Sequence, residues 1–152
     1  MKFRAEPAYA HDQVQRIGVL LVNLGTPQAP TASAVRRYLA EFLSDHRVVE
    51  IPRLIWLPIL YGIILLIRPA RSARKYAGVW TAAGSPLAVH TDAQSRALGA
   101  ILEARYPGRL VVDWAMRYGA RAMGERLSAL RAAGCDRLVV VPLYPQYAAS
   151  TN

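Results

Sequence analysis

The stretch Ile17-Gly-Val-Leu-Leu-Val-Asn23 runs directly into Leu24-Gly-Thr-Pro27, and the same pattern returns where Arg137-Leu-Val-Val-Val-Pro-Leu143 meets Tyr144-Pro-Gln-Tyr147. Apolar runs this short and continuous suit strands covered on both faces, the usual condition of parallel sheets. Open parallel sheets bind ligands in the crevice beyond the carboxyl ends of their strands. The two loops are therefore the first places to look for a site. The chain ends five residues past Tyr147, so they read as the first half of one.

Outward from the first strand, Pro27 and Pro30 mark a loop. Thr31 or Ser33 can then cap a helix whose Val35, Tyr38, Leu39, Phe42 and Leu43 fall on one stripe. From Ile51 to Ile67 the chain turns intensely apolar, interrupted by Pro52, Arg53, Pro58 and Gly62. Its uncharged part, Leu54 to Ile67, is 14 residues, short of the ~20 a membrane-spanning helix requires. It reads as a buried or interfacial segment, or as an exposed lip over a pocket. Ser85-Pro86 supplies an N-cap and a proline at the first helical position, opening a helix through Arg105 with Ala97, Leu98, Ile101 and Leu102 inward. Pro107-Gly108 ends it. Leu110 to Ala115 predicts a second strand, Arg121 to Ala133 a helix with Met123, Leu127 and Leu130 inward, and Gly134 its stop before the third strand. Strand, helices, strand, helix, strand is the order of an α/β sheet with mostly parallel strands.

At 152 residues and 53% apolar content the chain is long enough for one domain with a real core. Nineteen basic against ten acidic residues give a formal charge of +9 and a pI near 10.3, which favours anionic partners. All the basic residues but Lys2 and Lys75 are arginines. That suits forked recognition of carboxylate or phosphate, although arginine-rich codon usage gives the same count. The basic residues are interleaved with acids, and no helix-turn-helix, zinc-finger or aromatic RNA-binding signature appears, so no nucleic-acid partner is expected. A single cysteine, Cys135, excludes an internal disulfide and a Cys-rich metal cluster and suits a reducing cytoplasm. Residues 1–16 lack the apolar core of a secretory signal and read as a loose tail ahead of a domain over 17–152.

The candidate groups have plain structural readings beside the functional ones. Leu24-Gly-Thr-Pro27 is a strand-to-loop turn or a pocket lining with Leu24 as its apolar surface; one glycine is too few for a dinucleotide fingerprint. Arg68, Arg71 and Arg74 recur every third residue, followed by Lys75 and Tyr76. If helical they share a face, which is a solvated basic surface, a cationic rim for a flat apolar ligand with carboxylates at its edge, or a contact for anionic lipid headgroups. Met116-Arg117-Tyr118-Gly119 follows the second strand, where arginine and tyrosine bind a ligand or hold the loop. Tyr144 and Tyr147 pack, or offer a ring and a hydroxyl to a ligand. Ser85 is most simply a helix cap. His11, His46 and His90 stand apart from carboxylates at metal-ligand spacing, so no metal site and no nucleophilic triad is expected.

With these loops in place the sequence resembles the amino-terminal half of a bacterial ferrochelatase. The resemblance runs from about Ile17 onward. Its blocks are LLVNLGTP (20–27), AVRRYLAEFLSDHRVVEIPR (34–53), PILYGIILLIRPARSARKY (58–76), GSPL (84–87), AMRYG (115–119) and VVVPLYPQYAAST (139–151). It implies a Rossmann-like, chelatase-like fold of two similar halves with a porphyrin cleft between them, this chain being one half, truncated at its carboxyl end. The implied reaction is insertion of ferrous iron into protoporphyrin IX to give protohaem. Leu24 matches a position lining one porphyrin face. Arg68, Tyr76 and Ser85 match positions at the macrocycle or its propionates, and Arg117, Tyr118 and Tyr144 match polar wall positions; Arg71 replaces Arg68 in a shifted alignment. The family's catalytic histidine and glutamate belong to segments beyond Tyr144–Tyr147, so no catalytic residue and no metal ligand is expected within this chain. Iron is a substrate, no resident cofactor is implied, and an iron–sulfur cluster has no support from the lone Cys135. The partners implied are protoporphyrin IX, ferrous iron and the missing carboxyl-terminal half. The alternative is a non-catalytic porphyrin- or haem-binding module. Residues 54–67 with the following arginines add a peripheral membrane contact, giving a cytoplasmic protein or one peripheral at the inner face of the membrane.

Overall fold

The computed structural model describes residues 15–144. The expectations placed on residues 1–14, Tyr147 and Ser150-Thr151 lie outside the described residues. Strand β1 (Arg16–Thr26) is followed by helices α1 (Ala32–Ser44) and α2 (Arg53–Ile59), a π-helical turn (Leu60–Ile64), α3 (Leu65–Val79) and α4 (Pro86–Arg105). Strand β2 (Leu110–Gly119), helix α5 (Met123–Ala132) and strand β3 (Cys135–Pro142) complete the order. The strands form one parallel sheet in the order β2-β1-β3. This is the expected α/β arrangement, and the most apolar strand, β1, takes the centre, with Leu20, Leu21 and Val22 buried.

Alternation along the strands sends Leu20, Val22 and Ala115 to one face, where Leu127 and Leu130 of α5 cover them. Leu21, Trp114 and Met116 go to the other, against Ala88 and Leu98 of α4. The caps form where the sequence places them. Thr31 Oγ1 accepts from the Ala34 N–H and Ser85 Oγ from the Ala88 N–H, and Pro86 occupies the first helical position. Gly134, at φ +82, stops α5.

Four expectations are corrected. Strands β1 and β2 run on through Thr26 and Gly119, so Leu24-Gly-Thr26 and Met116–Gly119 are strand residues rather than loops. Helix α5 begins at Met123, because Arg121 takes a left-handed conformation (φ 62) and its carbonyl accepts from the Met116 N–H at 3.0 Å. In α4 the inward stripe is Ala88, Thr91, Ser95 and Leu98, leaving Ala97 and Ile101 exposed; Asn23 donates to Thr91 Oγ1 and Trp114 Nε1 to Asp92, which fixes the helix in that rotation. Among the described residues strand β3 lies at the edge of the sheet and is not covered on both faces: Leu138, Val139 and Val140 are 44–48% exposed.

The apolar stretch is continuous helix from Arg53 to Val79, passing through the π turn between Pro58 and Pro69. Each proline removes one donor from the helical ladder. Leu60, Leu65, Pro69 and Ala73 are buried, the Leu60, Leu65 and Ala73 side chains in the cluster formed by α1, and Trp56 Nε1 donates to the Leu43 carbonyl at 2.7 Å. The rest is an exposed lip and not a buried segment; Leu54 is 92% exposed. Apolar residues occur all round this helix, so a single neighbour covers only one stripe of it. By length and composition this 27-residue run is also long and apolar enough to cross a membrane. Its uncharged part rises about 21 Å at 1.5 Å per residue, against the roughly 30 Å of a hydrocarbon core.

Candidate functional site

The carboxyl ends of β1 and β2 approach each other unusually closely. Gly25 (φ +140) and Gly119 (φ +82) face each other's strand, and a Cβ on either would run into a backbone carbonyl, that of Tyr118 or of Thr26. Only glycine combines these φ values with that contact. Beside this junction, between the end of α1, the π turn and β2, lies an open cavity of about 570 Å³ whose walls include Glu41, Ser44, Asp45, Tyr61, Arg117 and Tyr118. Its volume is in the range of small-molecule sites.

One polar network dominates its wall. The Tyr118 hydroxyl donates to Asp45 Oδ2 at 2.7 Å and accepts from Arg117 Nε at 3.1 Å, while Arg117 Nη2 reaches Asp45 at 3.4 Å. The Arg117 guanidinium also lies over the Tyr118 ring, 5.3 Å from its centroid. Burial, and then the hydrogen bond to Asp45, push the Tyr118 phenol above its usual value of 10. The Tyr118 hydroxyl and the Arg47 N–H hold the Asp45 carboxyl below its usual 3.8. For Arg117 burial works against the charge, and the Tyr118 and Asp45 oxygens outweigh it. On the same wall Ser44 Oγ is buried with no hydrogen-bond partner among the described residues. Gly119 N–H donates to Glu41 Oε2 at 2.9 Å, tying α1 to β2.

The residues singled out from sequence separate into three groups. Arg117 and Tyr118 line the cavity. Tyr144 is near enough that the Arg117 charge offsets part of the upward effect of burial on its phenol. Leu24 and Tyr76 pack against the cluster that contains Tyr118, and burial raises the Tyr76 phenol while the Arg68 charge opposes it. Arg68 is exposed on α3 and is not part of the cavity wall. Ser85 is a buried cap of α4, the simpler of its two readings, and also lies off that wall. Asp45, Glu41, Ser44 and Tyr61 were missed. The one signal for Asp45 was its position: a carboxylate at a helix C-terminus opposes the macrodipole and calls for a partner elsewhere. Among the described residues no group of three or more His, Cys, Asp or Glu could hold a metal ion.

Comparison with known proteins agrees with the blocks in the sequence. The ferrochelatase family model matches residues 16–152. Ferrochelatases of Aromatoleum aromaticum and Azoarcus sp. (strain BH72) are 59% and 60% identical over 151 residues, 99% of this chain and 41% of each relative. That of Methylibium petroleiphilum is 57% identical over 153 residues, covering 100% of this chain and 42% of the relative. The chain thus spans about two-fifths of the length of the curated relatives it matches. Matched along nearly its whole length by that family model, it belongs to the ferrochelatase family.

Proposed function

We propose that this chain supplies a porphyrin-binding wall of a ferrochelatase, which inserts ferrous iron into protoporphyrin IX to give protohaem. The observation that carries the reading is the meeting of Arg117, Tyr118 and Tyr144 at the carboxyl end of the parallel sheet, beside an open cavity. A flat macrocycle with carboxylates at its edge needs an apolar wall and a fixed cation. The cluster behind Tyr118 gives the first and Arg117 the second. Arg117 has five N–H donors; two are engaged with Tyr118 and Asp45, which leaves three for a propionate.

The reaction also requires removal of two pyrrole protons, for which a base with a suitable pKa is needed. Neither Asp45 nor Tyr118 suits that task. Asp45 is too weak a base when held below 3.8, and the Tyr118 phenol stays protonated at neutral pH. This supports a role for the wall in binding and orientation, with proton removal and iron delivery assigned to the rest of the enzyme. No resident cofactor is part of the reading. The exposed apolar helix and the arginines after it support a peripheral membrane contact for a cytoplasmic protein.

Titration of the 152-residue chain with protoporphyrin IX tests the reading by fluorescence. Saturable quenching is expected, weakened about tenfold by Arg117→Ala on the scale of one charge-assisted hydrogen bond. Absence of saturable quenching refutes the binding wall. Iron insertion on co-expression with the remaining three-fifths of a relative tests the enzymatic part, and no insertion refutes it.

A further inference from the structure

We propose that Asp45 is a positioning residue of this cavity, taking the Tyr118 proton and fixing the Arg117 guanidinium so that the porphyrin's edge carboxylate meets the free N–H donors of Arg117. The inference rests on the porphyrin reading above. Asp45 is the C-cap residue of α1, and the last turn of that helix carries no basic residue. A carboxylate there faces the negative end of the helix dipole, so the cap alone gives no reason for a charge. Asp45 Oδ1 accepts from the Arg47 N–H at 2.8 Å, a bond the amide oxygen of asparagine would make equally well. The charge is accounted for at Oδ2, which takes the Tyr118 proton and one N–H of Arg117.

The hydrogen-bond inventory fixes the polarity. A phenol has one proton and two lone pairs. The proton points to Asp45 and one lone pair takes the Arg117 Nε–H, so Tyr118 has only acceptor capacity left for a ligand. The ring itself is held independently: Phe42 meets it edge-on with centroids 5.2 Å apart and an interplanar angle of 80°. Asp45 therefore sets the direction of the O–H and the plane of the guanidinium, not the position of the ring. An asparagine amide turned toward Tyr118 would donate to the phenol oxygen and reverse that polarity.

The test is a cycle of Asp45→Asn, Tyr118→Phe and the double variant in the 152-residue chain, reading the protoporphyrin IX dissociation constant, the melting temperature and tyrosinate absorbance against pH. Asp45→Asn is expected to weaken binding about tenfold with little change in melting temperature. The double variant is expected to bind no worse than the weaker single variant, and the Tyr118 phenol to ionise at lower pH in Asp45→Asn. Unchanged affinity in Asp45→Asn, or losses that multiply in the double variant, would overturn the positioning role while leaving the porphyrin reading intact. A wild-type chain that fails to bind overturns both. Should the asparagine variant not fold, Asp45→Ser keeps an acceptor for the Arg47 N–H without the charge and carries the same comparison.

Discussion

Replacing Gly119 by alanine probes the junction that brings the cavity residues together, and the protein contains its own control. Gly119 and Gly134 share φ +82. A Cβ at Gly134 meets nothing within 4 Å, whereas at Gly119 it runs into the Thr26 carbonyl oxygen and comes within 3.0 Å of the Tyr38 ring. Left-handed backbone costs a non-glycine residue roughly 1–2 kcal/mol, and this contribution is common to both sites. Gly119→Ala adds an overlap that Thr26 cannot relieve without moving β1, since it is in register with Gly119; overpacking of this kind costs about 1–3 kcal/mol more. Urea unfolding at matched pH should therefore place Gly134→Ala roughly 1–2 kcal/mol below wild type and Gly119→Ala about 2–5 kcal/mol below it. Gly119→Ala should also lose porphyrin affinity, because Tyr118 and the Gly119 N–H bond to Glu41 shift with the strand end. Equal stability of the two variants would refute the close approach of β1 and β2.

Two further outcomes are expected. Asp113 resists the upward effect of burial because the Trp114 N–H and the guanidinium groups of Arg126 and Arg121 hold its carboxyl below 3.8. The unfolded chain then binds more protons than the folded one below that pH, so stability is present above about pH 4 and falls as the folded carboxyl protonates. Urea midpoints from pH 5 to 2.5 should show an acid limb that is shallower in Asp113→Asn, and superimposable limbs would sink the assignment. Sedimentation with anionic vesicles should carry the chain down in low salt and release it in high salt. Leu54→Asp with Leu66→Asp should weaken the association, and binding indifferent to both salt and these substitutions would remove the helix as a membrane contact.

Much of the fold was legible because local signals and the global arrangement agree. Thr31, the Ser85-Pro86 pair and Gly134 carry their backbone instructions within a few residues, and β1 is apolar enough to demand the centre of a sheet. What was misread depends on partners distant in sequence. Gly25 and Gly119 look like loop residues, yet they are strand residues that let two backbones meet. The rotation of α4 is set by Asn23 and Trp114 bonding to Thr91 and Asp92, which periodicity in α4 alone does not contain. Asp45 and Tyr118 are 73 positions apart, so no spacing motif joins them. Within the site, Arg117 and Tyr118 were found because they sit together at a strand end; Asp45 and Glu41 were not, because they approach from a helix.

The structure also divides the arginines that composition alone leaves undivided. Arg117, Arg121 and Arg126 are partly buried and paired, Arg117 with Asp45 in the cavity wall, and Arg121 and Arg126 with Asp113, where they tie α5 and the turn before it to β2; the Arg121 guanidinium also stacks 4.3 Å from the Trp114 ring centroid. Arg68, Arg71 and Arg74 are all exposed, and make no ion pair among the described residues. At 100° per residue they spread with Lys75 over the side of α3 opposite Pro69 and Ala73, the residues turned to the core. The same continuous helix exposes apolar side chains at its other end, Leu54, Ile55, Ile59, Ile63, Leu66 and Ile67 among them. Its amphipathicity therefore runs along its length as well as around it. A ligand or surface that covers it has to be apolar at one end and anionic at the other, a requirement met by a macrocycle with edge carboxylates and by a bilayer with acidic headgroups. Vesicle binding that weakens in salt assigns the helix to the bilayer, while porphyrin binding that depends on Arg117 places the macrocycle against the cavity wall and not on the helix.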